Sequence, residues 1–438
     1  MDDNTPSDGE TDPFKLAEQE RWLDLARLGK DAWNTWAEME LQKLLENQTH
    51  VNLSKQVISV SNFRDFIFPT STSFSGAIFS TGADFRGVKF YSYTNFTETT
   101  FATAANFGWA SFLNDANFRE ARFSADVDFS VASFLANAEF GWVEFLAGVD
   151  FIEARFAANA EFYNVSFSSN TLFNLATFSG GADFREANFL SDASFNRVAM
   201  ESVWQMEKAR ISGSLSVQGA DIRGHVYFTH IGFRVPPDLI STAFKQPPSF
   251  LGSTFKYPCA NRFWGKCSVE DGEARFRRLK QLAADTHDHE LELRLFALET
   301  KAKRFHTLKP ADPRHWPGLV LNFGYGWVSD FGQSALRPLG WLLLTVGAAF
   351  AAFWSAAPAA TSLWVSAVAA GVNVFPFAGQ AVIGREIMTK GLCPMDEKAP
   401  EYLDCLTTLY TISAVEGVFG LIFLFLIGLG LRNRFRIK

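Results

Sequence analysis

The most regular feature of the chain is a series of apolar positions, mostly phenylalanine, at alternating intervals of five and six residues. The alternation runs back to Val57 and forward to Phe255, and every position on this series is apolar. Its central members are Phe118, Phe123, Phe129, Phe134, Phe140 and Phe145. Neither the 3.6-residue period of a helix nor the two-residue period of a flat strand produces this spacing.

A second position explains the shape that the spacing requires. Two residues before nearly every Phe lies a small or β-branched residue, such as Ala116 or Val149, and the residue between them is polar, as at Asn117. Alternation of this kind places both apolar side chains on one side of a short extended segment. Because a polar break follows every five or six residues, we expect a corner at each break. Four such sides close a square coil of 22 residues, whose corners differ in pairs.

The motifs ANFREARF and ADFREANF resemble the pentapeptide-repeat family, and this resemblance implies a right-handed quadrilateral β-helix. The chain departs from the five-residue form because every second side carries an extra residue. We predict a β-solenoid domain over residues 51–256, with about nine coils and a length of roughly 40 Å. The phenylalanines are interpreted as stacked interior plugs, in preference to a platform on which ligands stack, because small residues alternate with them.

Helical segments are predicted on both sides of the solenoid. Residues 1–50 form an amphipathic pattern, interpreted as a cap over an open solenoid end whose strand edges would otherwise be unpaired. Residues 257–315 are predicted as a helical connector. His287 and His289 lie in a charged turn without further ligands at metal-binding spacing, so neither a metal nor a cofactor is predicted. Cys259 and Cys267 are interpreted as free thiols, and zinc binding together with a distant pair is the alternative.

The last part of the chain, residues 316–438, is predicted as an α-helical transmembrane domain. Residues 338–357 contain no charge and are long enough to span about 30 Å of hydrocarbon. Residues 406–431 form a second apolar run with one acid, Glu416. A third apolar segment, residues 362–379, contains Gly, Asn and Pro near its end.

The distribution of charge decides how the third segment is placed. Basic residues precede the first span and end the chain. The positive-inside rule therefore predicts that the domain lies in the cytoplasmic membrane with both chain ends in the cytoplasm. An even number of crossings follows, and residues 362–379 become a re-entrant helix. Residues 380–404 then form an outer loop, in or beside which Cys393 and Cys405 could form a disulfide. This order of segments resembles the pore module of potassium channels, although the filter sequence is missing.

Candidate pore residues follow from that arrangement. They are Asn373, Val374, Phe375, Phe377, Gln380 and Glu416. A carboxylate in the membrane is costly, so Glu416 is expected to face a cavity or a partner. Two alternatives remain open: Glu416 lines the pore, or it hydrogen-bonds Asn373, Ser413 or the re-entrant backbone. Phe375 and Phe377 could instead form a hydrophobic constriction.

Composition narrows the classes of function. The net charge of −7 gives no basis for nucleic-acid binding, and no phosphate loop, metal-ligand spacing or nucleophile-base pair indicates an enzyme. We therefore predict an oligomeric cation channel, a tetramer by the potassium-channel resemblance. Its cytoplasmic solenoid would sense or bind a protein or a small ligand. The alternatives are a membrane-anchored scaffold and, from the family resemblance, an acidic DNA mimic that inhibits topoisomerases.

Overall fold

The structure is a computed structural model that describes residues 13–44, 48–259, 271–308, 312–356, 363–375, 386–393 and 400–435. The chain divides into two compact units, and the division falls between His287 and Asp288. The boundary thus lies inside the segment that was predicted as one connector. We describe each unit by itself.

The first unit contains a solenoid built from two-residue parallel strands that form four long sheets and one short pair. Sheet 1 comprises Val51–Asn52, Thr72–Ser73, Thr94–Asn95, Ala116–Asn117, Ala138–Glu139, Ala160–Glu161, Ala182–Asp183, Trp204–Gln205 and Val226–Tyr227. Sheet 2 comprises Val57–Ile58, Ile78–Phe79, Thr100–Phe101, Arg122–Phe123, Glu144–Phe145, Ser166–Phe167, Asn188–Phe189 and Arg210–Ile211. The chain passes through sheets 1, 2, 3 and 4 in turn, so each coil has four sides.

The other two sheets complete the square. Sheet 3 comprises Ala83–Asp84, Ala105–Asn106, Val127–Asp128, Val149–Asp150, Thr171–Leu172, Ala193–Ser194 and Leu215–Ser216. Sheet 4 comprises Ile67–Phe68, Lys89–Phe90, Ser111–Phe112, Ser133–Phe134, Arg155–Phe156, Thr177–Phe178, Ala199–Met200, Asp221–Ile222 and Ala243–Phe244. The short pair is Gly232–Phe233 with Thr254–Phe255. These sheets confirm a β-solenoid of about nine coils.

Strand register confirms the coil length except at the beginning. Ala116 pairs with Ala138 and Phe123 with Phe145, an offset of 22 residues that recurs along the solenoid. Val57, however, pairs with Ile78, an offset of 21. Val57 is 64% exposed, whereas Ile58 is fully buried. The assignment of Val57 to the interior series is therefore wrong: the first coil is one residue shorter, and two adjacent apolar residues hide this from the sequence pattern.

The phenylalanines fill the interior in columns, as the spacing predicts. Phe129 is fully buried, and its ring stacks at 4.8 Å between the rings of Phe107 and Phe151. Phe118 and Phe140 stack at 4.9 Å, and both contact Phe129 edge-on at 5.6 Å. Offset and edge-on geometries are the favourable ones for aromatic pairs. Each coil therefore repeats the same ring contacts with the coils on either side.

The corners differ in pairs, and one kind has a left-handed backbone. At every eleventh residue the φ angle is positive, as at Glu120 (58°), Val131 (59°) and Trp142 (58°). This conformation normally favours glycine, asparagine or aspartate. Lys55 and Asp65 are ten residues apart in the same series, which again marks the short first coil.

Helices cover both ends of the solenoid. Helices α1 (Pro13–Arg27) and α2 (Lys30–Leu41) pack on the first coil, where the Trp33 indole donates a hydrogen bond to the Ile67 carbonyl at 2.8 Å. At the other end, helix α3 (Gly272–Asp285) places Arg275 3.3 Å from the Asp238 carboxylate. On the same helix, the Arg278 side chain donates to the Thr242 carbonyl at 2.7 Å, so the helices at both ends satisfy backbone carbonyls of the end coils. Cys259 is disulfide-bonded, so its interpretation as a free thiol is wrong, because spacing alone does not show which cysteines meet. Cys267 lies outside the described residues.

The second unit is helical among the residues described. It comprises α4 (His289–His306), a 3₁₀ turn (Pro313–His315), α5 (Trp316–Ser329), α6 (Leu336–Ala356), α7 (Leu363–Asn373), a π-helical turn (Ile387–Leu392) and α8 (Pro400–Phe435). Helix α6 is close to the predicted span at 338–357. Helix α8 is longer than the span predicted at 406–431, since it adds a polar turn at its beginning and the basic end of the chain.

Candidate functional site

Helices α6 and α8 carry apolar side chains on their outer surfaces. In the 18-residue apolar stretch of each helix, only 17% is buried in α6 and 28% in α8. Leu343 and Leu344 of α6 and Val418 and Phe425 of α8 are 59–68% exposed. Both helices are long and apolar enough to cross a membrane. A helix in the core of a soluble domain would bury most of this surface.

Helix α7 lies between the two long helices but is much shorter. Its 11 residues extend about 16 Å, roughly half the thickness of a bilayer core. Ala369 and Ala370 pack against Phe353 of α6 and Leu409 of α8, and Leu392 joins the same cluster. The π-helical turn therefore packs against α7, close to the end of α6 and the beginning of α8. Small residues let these backbones approach closely.

A disulfide fixes the returning segment. Cys393, which is fully buried, is bonded to Cys405 on the second turn of α8, and their Cα atoms are 6.4 Å apart. The segment that returns from α7 is therefore covalently attached to the beginning of α8. This is the pair that the sequence offered as a disulfide.

The carboxyl end of α7 rests directly on α8. A Cβ atom built on Gly420 would lie 2.5 Å from the Val374 carbonyl oxygen, a distance that real Cβ atoms do not reach. Val374 also packs in a small apolar cluster with Leu342 of α6 and Phe423 of α8. Glycine at 420 therefore permits the backbone at the end of α7 to approach the middle of α8.

Glu416 lies one helical turn before Gly420, on the same face of α8. It is 4% exposed, and neither of its carboxylate oxygens has a hydrogen-bond partner among the residues that the structure describes. The fully buried hydroxyl of Ser366, on α7, is likewise unpartnered within those residues. Within the described part of the chain, two buried polar groups, one on α7 and one on α8, thus have no hydrogen-bond partner.

The six pore candidates fall into three groups. Asn373, Val374 and Glu416 are buried between the helices, with 3%, 6% and 4% exposure. Phe375, directly after them, is 54% exposed. Phe377 and Gln380 lie outside the described residues. One of the two alternatives for Glu416 is a hydrogen bond to Asn373 or Ser413. Among described residues, neither of them bonds the Glu416 carboxylate.

Sequence reasoning did not single out Ser366 or Gly420. Ser366, Ala369, Ala370 and Asn373 follow the i, i+3, i+4, i+7 spacing of one helix face, and all four are buried. A stripe of small and polar residues at this spacing indicates close helix packing in an apolar environment. That signal was present in the segment SAVAAGVN.

The solenoid carries a separate acidic surface along sheet 3. The outward side chains of Asp84, Asn106, Asp128 and Asp150 follow one another up the sheet beside a shallow groove. Hydrogen bonding to Arg86 holds the pKa of Asp84 below its usual range. Burial, and then the neighbouring charge of Asp128, raises the pKa of Asp150.

Comparison with known proteins supports the repeat. Residues 87–133 match the family model described as pentapeptide repeats (9 copies). No curated protein and no solved structure matches the chain. The chain therefore carries pentapeptide repeats, and its structure arranges them as a β-solenoid with about 22 residues per coil.

Proposed function

We propose that the second unit forms an oligomeric cation channel in the cytoplasmic membrane, and that the solenoid is its cytoplasmic sensing or binding domain. The observation that carries this proposal is the buried carboxylate of Glu416, which lies beside the end of α7 and has no hydrogen-bond partner among the residues described. An acid within a membrane-spanning helix costs several kcal/mol, so its presence there indicates a role in conduction or in holding a conducting segment.

The arrangement of α6, α7 and α8 supports the proposal. A short helix that turns back between two apolar helices places irregular backbone at membrane depth, which is tolerated where it lines a cavity or is buried in protein. In a single chain Glu416 faces inward, toward α7. We therefore assign Glu416 a positioning role behind the proposed re-entrant segment, and we assign the lining to Phe375, which is 54% exposed. Phe377 and Gln380 stay candidates from the sequence.

More than one copy is needed, because two spans and one short helix cannot enclose a water-filled path. The exposed apolar surfaces of α6 and α8 leave room for both lipid and neighbouring chains. We propose four copies by analogy with potassium-channel pore modules. Cations are the proposed cargo, because Glu386, Glu401 and Asp404 place acids at the predicted outer end.

Ion flux from proteoliposomes tests the proposal. Vesicles that contain the purified full chain should release trapped potassium, and Glu416→Gln should change the rate at least severalfold. Glu290→Gln removes the same charge from the exposed surface of α4 and should leave the rate unchanged. Equal rates for wild type and Glu416→Gln would contradict the role of Glu416.

A membrane-anchored scaffold is the second candidate, because apolar side chains lie exposed beside the strands of sheet 4. Trp109, Leu113, Leu135 and Leu175 are 36–61% exposed. Solenoids commonly present such surfaces to protein partners. A monomer in mild detergent, with no flux in vesicles, would favour the scaffold over the channel.

A further inference from the structure

Helix α5 presents an apolar stripe to the outside and its polar residues to the protein. Trp316, Val320, Leu321 and Trp327 are 58–72% exposed, and the helical repeat places Trp316, Val320 and Trp327 on one line along the helix with Leu321 beside it. On the other side Asn322 is buried, donates to the Thr300 carbonyl of α4 at 2.8 Å and accepts from the Arg304 side chain. This inversion of the usual surface pattern requires an apolar cover.

The stripe continues onto α6, which indicates what the cover is. The ring centroids of Trp327 and Trp341 are 4.4 Å apart, so the two helices share one aromatic surface. Leu336 and Leu344 of α6 extend this surface and are 74% and 63% exposed. Whatever covers the first turns of α6 also covers α5. For a helix that enters a bilayer, that cover is the lipid at the interface, where Trp is enriched.

A groove with excess positive charge lies at this junction. It is lined by Trp327, Leu336, Arg337, Gly340, Trp341 and Leu344. The Asp330 carboxylate is shared by two cations, with Lys301 at 3.6 Å and Arg337 at 3.8 Å. One carboxylate cannot neutralise both, and the Arg337 side chain remains 54% exposed. Gly340 adds open space, since a Cβ there would meet nothing within 4 Å.

We propose that this groove binds the headgroup of an anionic phospholipid from the cytoplasmic leaflet. Arg337 pairs with the phosphate, the indole N–H groups of Trp327 and Trp341 face the polar layer, and Leu344 packs on an acyl chain. The proposal rests on the membrane location that the proposed function assigns to α6. It does not depend on conduction.

Lipid retention by the full chain tests the site. The protein is reconstituted in nanodiscs of equal parts phosphatidylglycerol and phosphatidylcholine, and the retained lipids are counted by native mass spectrometry after transfer to detergent. Wild type should retain phosphatidylglycerol preferentially. Arg337→Gln should reduce that preference roughly fivefold, and Arg337→Lys should preserve part of it. Arg294→Gln, which removes an exposed cation from α4, is the matched control and should not change it.

Additional measurements distinguish a membrane lipid from a soluble phosphate compound, and failure of the lipid site from failure of the channel. Excess soluble glycerol phosphate should not displace the bound lipid; displacement would overturn the assignment to a membrane lipid. Quenching of Trp fluorescence by brominated phosphatidylglycerol should be weaker in Trp327→Phe, and equal quenching would place the lipid elsewhere. Unchanged preference in Arg337→Gln overturns the site. Retained preference without ion flux contradicts only the channel, and failure to enter nanodiscs contradicts both proposals.

Discussion

Gly420 of α8 and Val374 at the end of α7 are in direct backbone contact, because a Cβ at position 420 would lie 2.5 Å from the Val374 carbonyl oxygen. This contact fixes how closely the end of α7 approaches the middle of the long helix α8. It also places Glu416, one turn earlier on α8, beside the end of α7. The geometry of the proposed pore therefore depends on a glycine as much as on the acid.

Gly420→Ala should displace the end of α7. The added methyl group has no space, and overpacking of this kind costs about 1–3 kcal/mol. We expect a lower melting temperature in detergent and a changed ion flux. Gly428→Ala, on the same helix, meets nothing within 4 Å and serves as the control. Equal behaviour of the two variants would show that the backbone contact has no structural role.

Phe129→Ala should destabilise the solenoid by about 3–5 kcal/mol, because a fully buried ring leaves a cavity between its stacked neighbours. Leu135→Ala removes a side chain that is 54% exposed and should change the free energy of unfolding by less than about 0.5 kcal/mol. Denaturant unfolding followed by circular dichroism measures both. A loss below about 1 kcal/mol for Phe129→Ala would contradict the account of Phe as an interior plug.

Val131→Asn should stabilise the protein. A β-branched residue with φ at 59° is strained by about 1–2 kcal/mol, and asparagine tolerates this conformation much better. The opposite change at an equivalent corner, Gly87→Val, should be destabilising, because φ is 65° there and a Cβ would also collide with the Asp65 side chain. Melting temperatures of the two variants should move in opposite directions, and a shared direction would refute the assignment of the corners.

Two acids on sheet 3 should respond to pH in opposite ways. Asp150 has a raised pKa, caused first by burial, so its ionisation on going to neutral pH weakens the folded state. Asp150→Asn keeps an oxygen for the Ile152 amide and should add about 0.5–1 kcal/mol at pH 7, a gain that disappears below about pH 4.

Asp84 has a lowered pKa because Arg86 bonds its carboxylate, so its ionised form stabilises the folded state above the unfolded pKa. That contribution is lost as pH falls through the folded-state pKa. Asp84→Asn should therefore cost up to about 1 kcal/mol at pH 7 and less near pH 3, where part of the wild-type carboxylate is protonated. Melting temperatures at both pH values distinguish the two acids, and equal pH profiles for Asp150→Asn and Asp84→Asn would contradict the assigned causes.

The solenoid was predictable because one local rule repeats. The Phe spacing gives the coil length. The small residue two positions earlier shows which side of each strand faces the interior, and the polar residue between them shows which side faces solvent. The rule fails at Val57, where Ile58 is equally apolar and hydrophobicity cannot show that the coil is one residue short. It also says nothing of α3, whose Arg275 reaches Asp238 across 37 positions of sequence.

The second unit was less predictable because its contacts are not periodic. Cys393 and Cys405 were correctly placed near one another, whereas the re-entrant placement of residues 362–379 stays a prediction. Nothing in the sequence, however, showed that Gly420 would meet Val374. The exposure of α5 was equally hidden, since burial depends on which neighbours a helix face has rather than on its own residues.

Single-channel recording of the purified full chain in planar bilayers tests the central claim most directly. Under a tenfold potassium chloride gradient, the account predicts discrete current steps whose reversal potential lies near the potassium equilibrium potential, with Glu416→Gln altering their amplitude or open time. Bilayers that contain protein shown to be inserted, yet carry no current or a current that reverses at the chloride potential, would contradict it.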